Sequence, residues 1–176
     1  MRQVFALAAV LGLAVACSSP TSPTPGTIES VTAGGFTTVI LTRGTMSATV
    51  DGARWTAVTV SGSTGSFNGS PGAALISGLA AGASPLAPGL FIMISAPLSV
   101  GTHTFDASTN LLFALSEGLS LRWSADAFRP GGGTVTLTTA TATRLTGTFS
   151  VTASAHAADM SPQTRIVTNG TFDVSR

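Results

Sequence analysis

The sequence predicts an all-β domain, either an antiparallel β-sandwich or a lipocalin-like barrel of about nine or ten short strands. Three observations carry this. The polar fraction is mostly Thr, Ser and Gly, Thr and Val favour strands, and the good helix formers Glu, Lys and Gln are almost missing. Short strand-like runs recur at even intervals, each bounded by turn residues. No βαβ alternation and no strong 3.6-residue period runs through the chain.

The elements follow in order. Phe36–Thr42 (FTTVILT) reads as a first strand. Met46–Val50 alternates Met46, Ala48 and Val50 inward against Ser47 and Thr49 outward. Asp51-Gly52 then turns the chain, with Ala53 available to widen the loop, and Arg54–Val60 returns as the partner strand. Ser61–Gly72 reads as a long Gly/Ser/Asn loop. Ala73–Leu79, Leu90–Ser95 and Gly101–Ala107 are the next strand-like runs. Leu111–Leu115 and Leu119–Ala125 form a hairpin over Ser116-Glu117-Gly118. Arg129–Gly133 is a loop, and Thr134–Thr139 sets Val135 and Leu137 against Thr134, Thr136 and Thr138. Arg144–Ala155 and Thr164–Val174 close the domain as a long pair. Asn169-Gly170 is expected to be a bulge at Gly170 rather than a second turn, because a turn there would leave arms of only four or five residues. At most one short helix is expected, near Pro97 or Asp159.

The amino terminus speaks of location. Arg2 is followed by an apolar or small run, Val4–Ala16, too short for a spanning helix and of the length of a secretory signal. Ala14-Val15-Ala16 supplies small residues before a cleavage bond, and the chain's one cysteine, Cys17, lies directly after it. LAVAC (Leu13–Cys17) resembles the lipobox of bacterial lipoproteins, although Ala14 stands where that family prefers Leu. The resemblance implies cleavage before Cys17 and acylation of its thiol and new amine. Two or three chains hold a protein stably in a bilayer, where one does not. Ser18, rather than Asp, resembles the sorting pattern for the outer membrane. Residues 1–16 are thus expected to be a signal peptide. Residues 17–27 (CSSPTSPTPGT) are expected to be a lipidated, disordered Pro/Ser/Thr tether, reaching roughly 30 Å at about 3.1 Å per residue. Residues 28–176 form a single domain, best defined over about 45–176.

A second resemblance covers the domain. MSATVDGARWTA (Met46–Ala57), GTHTF (Gly101–Phe105), GTVTL (Gly133–Leu137), RLTGTFSVTA (Arg144–Ala153) and VTNGTFDV (Val167–Val174) follow one block order. They are similar to uncharacterised bacterial lipoproteins whose domain opens A-x-V-D-G-x-x-W and closes G-T-F-x-F-x-A … V-T-N-G-x-F. The resemblance implies a fold and carries no activity. Its motifs read as a hairpin turn, an anchoring Trp55 and a closing strand pair.

Composition narrows function. Charged residues are 9% of the chain, the eight cations are all Arg, and the net charge of +1 falls to about zero once Arg2 leaves. Without a basic patch, nucleic acid is not an expected partner. With Cys17 acylated no disulfide can form, so the core alone holds the fold.

Chemistry is sparse. His103 and His156 are the two histidines and lack H-x-H or H-E-x-x-H spacing, so no metal or other cofactor is expected. His103 reads as a strand-edge residue and His156 as loop surface. No G-x-S-x-G elbow singles out a serine, and Gly131-Gly132-Gly133 lacks the Lys of a phosphate loop. Asp51 caps its turn, and the remaining carboxylates are scattered. No catalytic residue is assigned.

One run departs from the pattern. Leu90-Phe91-Ile92-Met93-Ile94 does not alternate, as if both faces of a strand were covered. Together with Trp55 and Trp123, the residues Leu90, Ile92, Met93 and Ile94 are the candidate face for an apolar ligand or partner. The expectation is a membrane-anchored, envelope-facing module that binds or supports without catalysis, its partner unknown, either an envelope protein or a small apolar ligand. The alternative is a carrier holding a small apolar ligand in a barrel cavity of roughly 300–1,000 Å³. An envelope hydrolase built on His103 ranks below both.

Overall fold

The computed structural model describes residues 30–33, 36–67, 70–81, 89–94, 98–105, 111–117, 120–126, 129, 131–156 and 162–176. The expected signal peptide, Cys17, the expected tether, and both Pro97 and Asp159 lie outside them. Among the described residues twelve strands form and no helix. They are β1 (Ser30–Ala33), β2 (Phe36–Leu41), β3 (Arg43–Val50), β4 (Ala53–Phe67), β5 (Ser70–Ala80) and β6 (Gly89–Ile94). There follow β7 (Gly101–Phe105), β8 (Leu111–Glu117), β9 (Ser120–Ala125), β10 (Gly132–Thr141), β11 (Arg144–Ala155) and β12 (Thr164–Ser175).

Eight strands close an antiparallel barrel in the order β3-β4-β5-β6-β8-β9-β11-β12, and β12 pairs back onto β3. Chain neighbours are mostly spatial neighbours, as in an up-and-down meander. Of the two expected architectures the barrel is the one formed. An eight-stranded barrel is just wide enough to be filled by side chains, and this one is filled. Leu41, Ile76, Leu90, Ile92, Phe113, Leu145 and Val174 are 0% exposed. Four rings run through the interior, Phe105 to Phe113 to Phe149 to Phe172, with centroids 6.2, 6.0 and 6.3 Å apart.

β2 and β3 behave as one long arm. The pairs Phe36–Phe67, Leu41–Gly62, Ser47–Thr56 and Val50–Ala53 keep one register against β4. The arm turns at Asp51-Gly52 with φ of 48° and 83°, a two-residue turn that Ala53 does not widen.

The predicted loop at Ser61–Gly72 is corrected. Ser61–Phe67 continues β4, and β5 begins at Ser70. The small residues are a requirement of packing there. A side chain at Gly62 would start 2.8 Å from the Leu75 carbonyl and 3.4 Å from Val174. Ser61 and Ser77 bond across the outer face at 2.8 Å.

β11 runs from Arg144 to Ala155 as predicted, paired with β12 along nearly its whole length. The expected bulge interrupts that ladder between Phe149 and Val151. Its left-handed residue is Asn169, φ 51°, while Gly170 is needed for room: a Cβ there would lie 2.6 Å from three atoms of the Phe149 ring.

β7 and β10 are inserted beside the barrel. β10 pairs with β7 on one edge and with β11 on the other, so β11 serves β10 over Arg144–Thr152 and β9 at Ser154 and Ala155. One outer row crosses six strands as Thr102, Thr136, Thr148, Thr171, Ser47 and Thr56. Hydroxyl bonds of 2.9 Å (Thr102–Thr136) and 3.0 Å (Ser47–Thr171) tie it together.

Candidate functional site

The Asp51-Gly52 turn delivers the start of β4 to one end of the barrel. Val50, Ala53, Arg54 and Trp55 of that hairpin line an open cleft of about 250 Å³ with Leu115 and Ser116 (β8), Trp123 (β9) and Arg165 (β12). Both tryptophans of the chain are therefore in one place. Trp55 is 8% exposed and Trp123 3%. The tip of the Trp55 ring fits because β5 carries Gly78: a Cβ there would lie 2.8 Å from Trp55 Cη2 and from the Met46 sulfur. Trp123 Nε1 donates to the Pro162 carbonyl at 2.8 Å, which fixes the indole plane.

Arg165 is the cation of this end. Its guanidinium carbon lies 4.5 Å from the centre of the Trp123 ring. Its Nη1 donates to Asp51 Oδ2 at 2.7 Å. Asp51 Oδ1 accepts the Ile166 N–H at 2.8 Å, and the Asp51 N–H donates to the Ile166 carbonyl, also at 2.8 Å. The turn is thus bolted to the start of β12. The Arg165 hydrogen bond holds the Asp51 carboxyl below its ordinary value; the Ile166 N–H adds to this and partial burial opposes it.

The opposite end of β4 makes a different mouth. Thr37, Val39, Thr64, Leu98, Ala140 and Ala142 belong to a cleft of about 210 Å³ with no charged lining residue. Thr64 Oγ1, on a side chain 4% exposed, donates to the Ala142 carbonyl at 2.7 Å. That bond draws the β10–β11 turn across the barrel end.

No protein-family model, no curated protein and no solved structure matches this chain.

The six residues expected to form one apolar face occupy three places. Leu90, Ile92 and Ile94 point into the core at 0, 0 and 2% exposure, where packing already fills the space around them. Met93 points outward and is half-buried, in a row with Leu75 and Leu112 on the neighbouring strands. Trp55 and Trp123 line the first mouth. The missing alternation has a plain cause: the outer face of β6 carries Phe91 and Met93, so both faces of the strand are apolar.

His103 lies on β7, which pairs with β10 alone among the described strands, and its Nε2 is 2.8 Å from the Ser99 carbonyl. His156 is not plain loop surface. Its Nε2 lies 3.0 Å from Ser124 Oγ, and Ser124 Oγ donates to Asp126 Oδ2 at 2.7 Å. The three residue types are those of an acyl-transfer triad, but the order differs. A triad places the imidazole between serine and carboxylate; here the serine stands between. The single hydroxyl proton goes to Asp126, so His156 must donate its own N–H to Ser124 and has no lone pair facing it. Burial, followed by the Arg129 charge, pushes His156 below its ordinary value, against the opposing charge of Asp126. Ser124 is 1% exposed. The cluster is a brace between β9 and the end of β11. Among the described residues no group of three His, Cys, Asp or Glu could hold a metal ion.

Sequence reading missed Arg54, Leu115 and Arg165. The available signal was Arg54 inside the VDGARW block and Arg165 at the head of a Thr-rich strand, two cations in a chain that has few.

Proposed function

We propose that this chain is an exported, lipid-anchored module of the bacterial cell envelope, in the outer membrane, that binds a partner or ligand without catalysis. Its binding surface is the Trp55–Trp123 mouth. The observation that carries this reading is the convergence of both tryptophans and two arginines on the lining of one open cleft, in a barrel whose β3, β11 and β12 outer rows are largely Thr and Ser. Cys17 at the predicted cleavage bond supports the anchor. The VDGARW block of the resembling lipoproteins supplies half the lining, which supports a shared use of the mouth. A carrier with an enclosed cavity is less well supported, because the core is packed and the mouth clefts fall below the usual 300 Å³ of ligand pockets.

Two measurements test this. Labelled palmitate fed to a host expressing the full chain should enter the protein, and Cys17→Ser should abolish the label and release the protein from the membrane fraction. Unchanged labelling overturns the anchor. Native against denaturing mass spectrometry of the protein from its own envelope should show an extra mass that is lost on denaturation and is absent in Trp123→Ala. A bare mass in the parent protein counts against a small ligand and directs the search to crosslinked proteins.

A further inference from the structure

We propose that the Trp55–Trp123 mouth selects a small organic anion with a flat apolar body, an aryl carboxylate being the simplest member of the class. This rests on the mouth being a binding surface and adds what it takes.

Charge is the first argument. Two arginines, Arg54 and Arg165, belong to the lining, with the Arg165 guanidinium over the Trp123 ring, and no carboxylate belongs to it. The nearest acid, Asp51, is spent on Arg165 and on the Ile166 N–H, and it offsets one of the two cations. One of the two lining arginines is therefore left without a compensating carboxylate in the lining.

Preorganisation is the second. Arg165 is held by its ion pair and by the Trp123 face beneath it, so its planar fork is fixed before anything binds. An arginine so held loses little freedom when it meets a carboxylate, which its donor geometry matches.

Shape is the third. Two indoles with Leu115 and Val50 form the apolar wall, and aromatic rings stack or meet edge-on against such walls. About 250 Å³ is on the order of eight water volumes, room for one ring and a short arm. Leu115 at 5% and Trp123 at 3% exposure make a rigid floor rather than a channel into the core.

The chain reports on its own mouth. It has no Tyr, and both of its Trp lie in the cleft, so intrinsic fluorescence reads this site alone. The experiment titrates the full chain, purified in detergent, with 3-phenylpropanoate, its neutral amide and 3-phenylpropylammonium. The carboxylate should change the emission saturably and bind about tenfold more tightly than the amide, as expected for a charge-assisted hydrogen bond. The ammonium should bind more weakly still. Arg54→Gln, an exposed substitution that leaves the Asp51–Arg165 pair intact, should cut the carboxylate-to-amide ratio several-fold, and 0.5 M salt should do the same. Equal saturable binding of all three probes overturns the anion class while leaving the mouth as a site. A flat titration with all three overturns the mouth itself.

Discussion

The two mouths of this barrel are built on the same strand and differ in nearly every property. At the start of β4, indoles and the Arg165 guanidinium meet at an open cleft, and the turn beside it is held from outside the lining by Asp51. At the far end of β4 the lining is neutral, and Thr64 pulls a turn across the opening through one partly buried hydrogen bond. One end uses its polar groups to close itself. The other spends a carboxylate on fixing an arginine and leaves the cleft clear. The difference teaches that one packed core can carry two unlike rims, of which the Trp55–Trp123 rim is the one proposed to bind.

Four changes break or sharpen that contrast. Trp123→Ala should have the largest effect, about 3–5 kcal/mol of unfolding free energy, because a ring 3% exposed is removed from the core edge. Urea unfolding followed by circular dichroism measures it, and a loss below 1 kcal/mol would show that the first rim is not part of the core. Gly78→Ala comes next at about 1–3 kcal/mol, since the new methyl meets Trp55 Cη2 and the Met46 sulfur at 2.8 Å. It should also shift the Trp emission, because the indole must move; an unchanged spectrum counts against that packing.

Thr64→Val should cost about 1 kcal/mol by leaving the Ala142 carbonyl without its donor. Its Trp emission should stay that of the parent protein. A spectral shift would mean the two ends communicate. Asp51→Asn is the mildest, under about 1 kcal/mol at neutral pH, because the pair is partly exposed and Asn tolerates the positive φ.

The Asp51→Asn variant also has a pH signature. In the folded protein Asp51 lies below its ordinary 3.8, so its contribution is complete above pH 3.8 and is lost as pH falls through the lower folded value. Asp173, held down first by its Arg144 hydrogen bond, behaves the same way beside the other mouth. Asp51→Asn should therefore remove only part of the acid-limb loss. His156 acts in a higher window. Its folded value lies below 6.5, so stability is full above pH 6.5 and declines as pH falls through the depressed value. His156→Gln should flatten that segment of a stability-against-pH curve.

Much of the barrel was legible in the chain. β11 alternates buried Leu145, Gly147, Phe149, Val151 and Ala153 with Thr and Ser, the period-two signature of a strand with one wet face. Asp51-Gly52 announced its turn through the φ values only such residues adopt easily. Ser61–Phe67 was not legible, because Gly and Ser there answer to a crowded interior that local sequence does not reveal. The site was half legible. Trp55 and Trp123 stood out as rare aromatics. Their meeting with Arg165 depends on β12 returning to β3, a closure across the whole chain, with Asp51 and Arg165 separated by 114 positions. The Leu90–Ile94 run misled for a related reason: apolarity on both faces says nothing of which face meets the core.

The closed seam has a bearing on life at high concentration. A sheet end offers unpaired N–H and C=O groups on which other chains can nucleate cross-β growth. Joining β12 to β3 removes that hazard from the eight barrel strands, among them β3, β4, β11 and β12, Thr- and Val-containing runs of eight to fifteen residues that would be good seeds if left open. The termini of the described sheet are instead β1, four residues, and β7, five residues. Templates that short hold an incoming strand weakly. A protein tethered as proposed, among many copies of itself, would gain from edges as short as these two.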